Sequence, residues 1–205
     1  MPRKKSARQK RHVFLNAGCG NSSRIPRFFK RWRQVRVDID PGMKPDVVAS
    51  IADLSPVPDG SVDAIWCSHC IEHLYAYQVP RALAEFRRVL CADGFACIIV
   101  PDLQTIVHWI AADKLHETIY ESKAGPVTAH DMIWGFGPAI ASGKPAMAHS
   151  CGFAPTLFLN YLKDAGFGEI VLRRKQETLE LAGLALQRPS KTAAHRQKLM
   201  TSLGL

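Results

Sequence analysis

With 205 residues, 47% of them apolar, the chain has enough apolar side chain for a real core and the length of one α/β domain with an insertion or tails. No apolar stretch nears the ~20 residues of a membrane-crossing helix, and the basic N-terminus has no apolar run behind it; neither a membrane span nor a secretory signal is expected, and a cytoplasmic location is. The net charge of +9 comes from one end: residues 1–36 hold 12 of the 27 Lys and Arg and no Asp or Glu, leaving 15 basic against 18 acidic side chains beyond them.

In chain order, residues 1–11 form a basic arm. Arg3, Lys4, Lys5, Arg8, Lys10 and Arg11 have the charge to neutralise phosphates, and Lys30, Arg31, Arg33 and Arg36 would extend the patch. No aromatic platform is interleaved with them, so a solvated, flexible arm is expected ahead of a nucleic-acid-binding one. Val13 to Asn16 then reads as a buried strand running into the turn Gly18-Cys19-Gly20, which would open a helix. Glycines there let the backbone take positive φ and approach a ligand, and the helix start offers free N–H groups. Asp38 ends the next apolar run about 20 residues on, where a second strand presents a carboxylate to ribose hydroxyls. Ser23 replaces the third glycine of the pyrophosphate-binding fingerprint, which argues against a dinucleotide.

Further strands are expected at 34–38, 47–50, 63–67 and 95–100. A helix at 79–90 has Val79, Leu83, Phe86, Val89 and Leu90 on one face and Pro80 in its first turn; Cys91 to Gly94 is a breaker behind it. Such alternation marks a parallel sheet with crossover helices. Residues 102–150 lose this regularity and hold four of the eight histidines, two of the four tryptophans and several Gly and Pro, so they read as a partly helical, lid-like insertion over the sheet. A helix at 155–165 stops at Gly166, strands follow at 169–173 and 179–186, the second an antiparallel return, and 188–205 read as a polar, loosely attached tail. The six cysteines are scattered and are expected to stay reduced; Cys67 and Cys70 make a C-x-x-C with no second pair to complete a zinc site.

Four segments stand in order: Asn16-Ala-Gly-Cys-Gly20, Val37-Asp-Ile-Asp-Pro41, Asp59 through Leu74 with its Ser-His-Cys-Ile-Glu-His-Leu ending, and Glu85 through Gly94 leading to Val100-Pro-Asp-Leu103. Together they resemble the class I S-adenosylmethionine-dependent methyltransferases, in particular the type 11 group, over roughly 13–187. The resemblance implies a Rossmann-like α/β sandwich with a mostly parallel seven-stranded sheet and an antiparallel last strand, filling 12–187. It implies S-adenosylmethionine as cofactor, with Ala17, Gly18 and Gly20 around the methionine end, Asp38 on the ribose hydroxyls, Asp53 and the Ala52 backbone at the adenine, and Ser68 and His69 beside the sulfonium. Asp40 is the alternative ribose ligand and a turn cap the alternative role for Asp53; Asp38 continues the apolar strand and stands ahead.

On this basis the chain is expected to methylate an oxygen or nitrogen of a small polar acceptor, without binding a membrane. His149 is the first candidate for a general base, then His69 and Asp131; a purely structural His149 is the alternative. His130, Trp134, Phe136 and His149 are expected to cluster in the insertion and recognise the acceptor. His69-Cys-Ile-Glu-His73 also matches H-x-x-E-H, in which two imidazoles hold zinc beside a glutamate base. Here it begins at a strand end, so no metal is expected. Rival readings are an RNA methyltransferase using the basic arm, a cofactor-binding relative without activity, and a nicotinamide oxidoreductase.

Overall fold

The computed structural model describes residues 11–20 and 25–205. Ser23 and the basic arm before Arg11 lie outside the described residues. The central strand β1 (Val13–Ala17) is buried at all five positions, as a strand paired on both edges and covered on both faces must be. It pairs in parallel with β2 (Arg33–Asp38), which pairs in parallel with the short β3 (Val47–Val48); its other edge takes β4 (Val62–Ser68). Helix α1 (Val79–Val89) buries Val79, Ala82, Leu83, Phe86 and Val89 and delivers the chain to β5 (Leu90–Pro101), parallel to β4.

The insertion then builds α2 (Leu103–Ala111), the hairpin of β6 (Thr118–Ser122) and β7 (Gly125–Thr128), α3 (Ala129–Trp134) and α4 (Gly137–Ala141). Helix α5 (Pro155–Asp164) returns to the sheet, where β8 (Glu169–Lys175) and β9 (Glu180–Leu186) complete the order β3-β2-β1-β4-β5-β9-β8. Only β9 runs antiparallel to its neighbours β5 and β8, so the expected mostly parallel sheet with an antiparallel last strand is the one observed. No helix among the described residues is long and apolar enough to cross a membrane.

Four expectations change. Cys91 to Gly94 do not break the chain: they form a shifted stretch of β5, where the pairing jumps from Val62–Leu90 to Ala64–Phe95. Nor is there an α-helix between β1 and β2 among the described residues. A 3-10 turn, Arg27–Arg31, stands there, too short to cover the sheet by itself. Its aromatics do the covering: Phe29 stacks on Phe14 at 4.3 Å, and Phe28 and Trp32 pack against Phe95.

Residues 188–205 are not a loose tail. They form α6 (Ala193–Leu203), capped by Thr192 at the start and by left-handed Gly204 at the end. Leu199, Met200 and Leu203 bury in the same cluster as Phe29, Trp66 and Phe95, finishing the face that the short crossover leaves open. Finally, 102–150 is less irregular than its composition suggests. Ile106, Val127, Ala129 and Met132 make a small core of their own, joined to the sheet through Leu179.

Candidate active site

The carboxyl ends of the parallel strands gather most of the residues expected to hold a cofactor, as open α/β sheets do. β1 ends at buried Ala17, and the chain turns through Gly18 (φ +64°) and Gly20 (φ +45°). A Cβ on Gly18 would lie 2.1 Å from Cys70 Sγ, so only glycine lets the loop leaving β4 come this close. Asp38, half-buried at the end of β2, accepts from Gly20 N–H at 2.7 Å with Oδ2 and from Asp40 N–H at 3.0 Å with Oδ1. Oδ2 also accepts from the Cys19 thiol at 3.8 Å, so Oδ1 is the oxygen that keeps a lone pair for a hydroxyl donor. Asp40, the alternative, accepts from Gly42 N–H at 2.7 Å and caps the 3-10 turn Pro41–Met43.

Ala52 is buried in the turn after β3, its N–H donating to Ser50 Oγ at 3.2 Å. Exposed Asp53 accepts from Ser55 N–H at 3.3 Å and lies 3.4 Å from Arg81, so its present contacts are those of a turn cap. That loop is fixed from behind, because Glu85 accepts from Leu54 N–H at 2.7 Å and Arg88 donates to the Leu54 carbonyl at 2.8 Å.

Past Ser68 the backbone takes a left-handed step at His69 (φ +50°), whose N–H donates to the Ile99 carbonyl at 2.9 Å. The imidazole sits between two carboxylates: Nε2 is 2.8 Å from Glu180 Oε1 and Nδ1 is 3.3 Å from Glu72 Oε1. Burial alone would lower its pKa, but the hydrogen bond to Glu180 and the charge of nearby Glu72 outweigh this and raise it to about 10. At neutral pH His69 is an imidazolium with no lone pair. In that form it cannot take up a proton, and its side chain neutralises two buried acids.

Asp131 stands in a capping role. One carboxylate oxygen accepts from Thr128 N–H (3.0 Å) and Thr128 Oγ1 (2.7 Å), and the other from Gly137 N–H (3.0 Å): it closes the capping box of α3. Burial would raise its pKa, yet these donors hold it below the ordinary aspartate range.

His149 is drawn to a different group from the one expected. Its ring lies 4.8 Å from that of His73, beside Glu72, and its backbone N–H donates to the Trp134 carbonyl at 3.1 Å. His130 and Trp134 stack elsewhere, at 4.7 Å, with His116 next to His130, while Phe136 packs on the insertion's own core. Thus the four residues expected to cluster divide into three places. His149 Nδ1 meets the Met132 carbonyl at 3.1 Å and His73 Nδ1 the Ala148 carbonyl at 3.0 Å. A carbonyl only accepts, so both rings carry a proton on Nδ1 and, when neutral, leave the Nε2 lone pair free. Burial holds the His149 pKa below the ordinary histidine value.

Glu72 is 0% exposed, and neither carboxylate oxygen has a hydrogen-bond partner among the described residues. Burial would raise its pKa, but His69, with smaller help from His73 and His149, holds it below the usual glutamate range. Its backbone carbonyl accepts from Ser150 N–H (2.9 Å) and Cys151 N–H (3.1 Å), which ties the end of the insertion to the 3-10 turn Ile71–His73.

A cavity of about 420 Å³ opens beside this edge, lined by Trp66, Ser68, Ile99, Lys175 and Glu180 and by residues of α6 and its C-terminus. His149 is not among its lining residues. Sequence reasoning missed Lys175 and Glu180; the signal was a carboxylate opening the otherwise apolar run Leu179 to Leu186. It also missed α6 as a wall.

Residues 15–98 match a family described as a methyltransferase domain. No curated protein matches the sequence. Among solved structures, the citrinin polyketide synthase CMeT domain superposes with a TM-score of 0.58 at 14% identity over 88% of this chain and 48% of the other, so this chain spans about half that domain's length. The 1,6-didemethyltoxoflavin-N1-methyltransferase of Burkholderia thailandensis, solved with bound 1,6-didemethyltoxoflavin and S-adenosylhomocysteine, gives 0.56 at 17% identity over 88% and 72%. A SAM-dependent methyltransferase from Archaeoglobus fulgidus gives 0.54 at 16% over 86% of both chains. Over β1 to β5 the chain is thus similar to the methyltransferase-domain family, and it shares the sheet fold of these solved structures.

Proposed function

We propose that the chain binds S-adenosylmethionine along the edge formed by Ala17, Gly18, Gly20, Asp38, Ala52, Asp53, Ser68 and the His69 backbone, and methylates an oxygen or nitrogen of a small polar acceptor. Asp38 carries the reading. Two backbone N–H groups and the Cys19 thiol hold its carboxylate half-buried at the end of β2, with a lone pair of Oδ1 to spare and the weak thiol contact exchangeable, which suits a pair of vicinal hydroxyls. The close approach of Gly18 and Cys70 supports the same reading, since it brings the turn after β1 and the loop after β4 side by side at the carboxyl ends of their strands.

When bound, S-adenosylmethionine supplies an already activated methyl group. What remains for the protein is to orient the acceptor and exclude water. The cavity beside Ser68 suits a small polar molecule, with Trp66 and Ile99 as apolar walls and Lys175 and Glu180 as hydrogen-bonding groups. Where an acceptor hydroxyl must lose a proton, His149 is the first candidate, because its Nε2 lone pair is free while Asp131 is taken up in capping α3; its ring stands outside the lining of that cavity and would have to reach the acceptor from the insertion.

Calorimetry with S-adenosylmethionine, S-adenosylhomocysteine and NAD tests this. The first two are expected to bind and NAD not to, and Asp38→Ala should weaken binding by ~1–3 kcal/mol while the circular dichroism spectrum is kept. Micromolar NAD binding without S-adenosylmethionine binding would overturn the assignment.

A further inference from the structure

Glu72, His73 and His149 form a group that cofactor binding does not require, and a metal on the His149 Nε2 would take the lone pair that its role as a base needs. One oxygen or nitrogen of each lies within 4.8 Å of the others. Three features set it apart from a chance gathering of polar side chains. The Glu72 carboxylate is fully buried, yet neither oxygen has a hydrogen-bond partner among the described residues; a buried acid left so is costly unless something cationic completes its surroundings. His69, 3.3 Å from Oε1, neutralises part of that charge but is shared with Glu180. Second, both imidazoles donate from Nδ1 to backbone carbonyls, of Ala148 and of Met132. Metal-binding histidines are oriented in this manner, with the far nitrogen fixed and the near one left as donor. Third, His73 and His149 are only half-buried, which gives an ion a way in.

We propose that Glu72, His73 and His149 bind one divalent transition-metal ion through a carboxylate oxygen and the two Nε2 atoms. Two imidazoles with one carboxylate prefer zinc or a neighbouring first-row ion to magnesium or calcium, whose ligands are oxygens. Three protein ligands leave at least one position open. The linear H-x-x-E-H pattern is not the donor set, because His69 faces two carboxylates; a histidine from the end of the insertion takes its place. This reverses the expectation, drawn from the motif's position at a strand end, that no metal is bound. The ion would pin the insertion, through His149, to the turn after β4. The proposal stands independently of the methyl-donor reading.

The test uses the full-length protein freed of metal with a chelator. Zn²⁺ titration followed by calorimetry and metal analysis is expected to give one ion per chain. Co²⁺ should give the visible d–d bands of a four- or five-coordinate nitrogen and oxygen site, without thiolate-to-cobalt charge transfer. His149→Ala and His73→Ala, each shown folded by circular dichroism, should weaken Zn²⁺ at least about tenfold, whereas Cys70→Ser should leave it unchanged. Glu72→Gln is a further variant, read only if it folds. Absence of stoichiometric binding overturns the proposal, as does unweakened binding in both folded histidine variants. Thiolate charge transfer would move the ion to Cys67 and Cys70 and overturn it equally.

Discussion

His69 is a cation held between two acids rather than a base waiting for a proton. With Glu180 2.8 Å from one ring nitrogen and Glu72 3.3 Å from the other, removing the ring would leave two carboxylates, 8% and 0% exposed, without their shared counter-charge. Breaking such a pair from one side costs about 3–5 kcal/mol, more than the pair itself contributes. His69→Ala is therefore expected to lower the urea-unfolding free energy of the metal-free protein by about that amount, and adding Glu180→Gln should recover a sizeable part. A loss under about 1 kcal/mol would mean that the acids are not charged in the folded state. At this scale the sequence was legible where partners are near in number. The H-x-x-E-H spacing joins His69 to Glu72, and the apolar run ending at Asp38 points to that carboxylate. Glu180 lies 111 residues from His69, and no local pattern joins them. Asp131 was missed as a cap for another reason. Thr128-x-x-Asp131 is a capping box with the shorter acid in the usual Glu position, so the residue read as a base.

The elements most legible were those whose burial is periodic or continuous: α1, α5 and the central strands were found within a few residues. Helix α6 was not, since its buried Leu199, Met200 and Leu203 occupy only its last turn and a half, behind a polar start. Thr192 and Gly204 were its boundary signals. Its docking has a pH signature. Glu169 on β8 accepts from Ser190 N–H at 2.7 Å and pairs with Arg196 on α6. The Ser190 hydrogen bonds, then Arg196, pull its pKa from the ordinary 4.5 down to about 2. A carboxylate lowered on folding contributes stability that is complete above the ordinary value and fades as pH falls from 4.5 toward 2. Hydrogen exchange of 193–203 should accordingly quicken across that window before the β1 and β4 amides respond. Glu169→Gln should quicken it already at pH 7 and flatten its acid dependence. An α6 that exchanges at the same pH-corrected rate throughout would show that the pair does not hold it.

On the scale of the whole molecule, the chain is a sheet with a smaller apolar unit attached at its carboxyl edge. The attachment is narrow and polar. Asp102, 1% exposed, caps α2 and pairs with Arg174 at 2.9 Å; its N–H donates to the Leu179 carbonyl, and Leu103 N–H to that of Phe153. At the far end, the Glu72 carbonyl takes the Ser150 and Cys151 N–H groups. Between these anchors Ile106, Val127, Ala129 and Met132 bury mainly against one another. Composition made this segment look irregular because each of its elements is short, and a core shared among short elements leaves little period in the sequence. A unit with its own small core and few ties should open without the sheet unfolding. Amides of 103–134 are thus expected to exchange with a lower opening free energy than those of β1, β4 and β5, and as one group. Met132→Ala should lower that local value by about 2–4 kcal/mol, or to zero if less is available, and leave the sheet amides unchanged. Saturating Zn²⁺ should slow exchange in the insertion alone, because His149 belongs to its end and Glu72 and His73 to the turn after β4. If insertion and sheet exchange with one free energy in every case, the chain opens as a single cooperative body, and closure over an acceptor would need a motion smaller than release of the insertion.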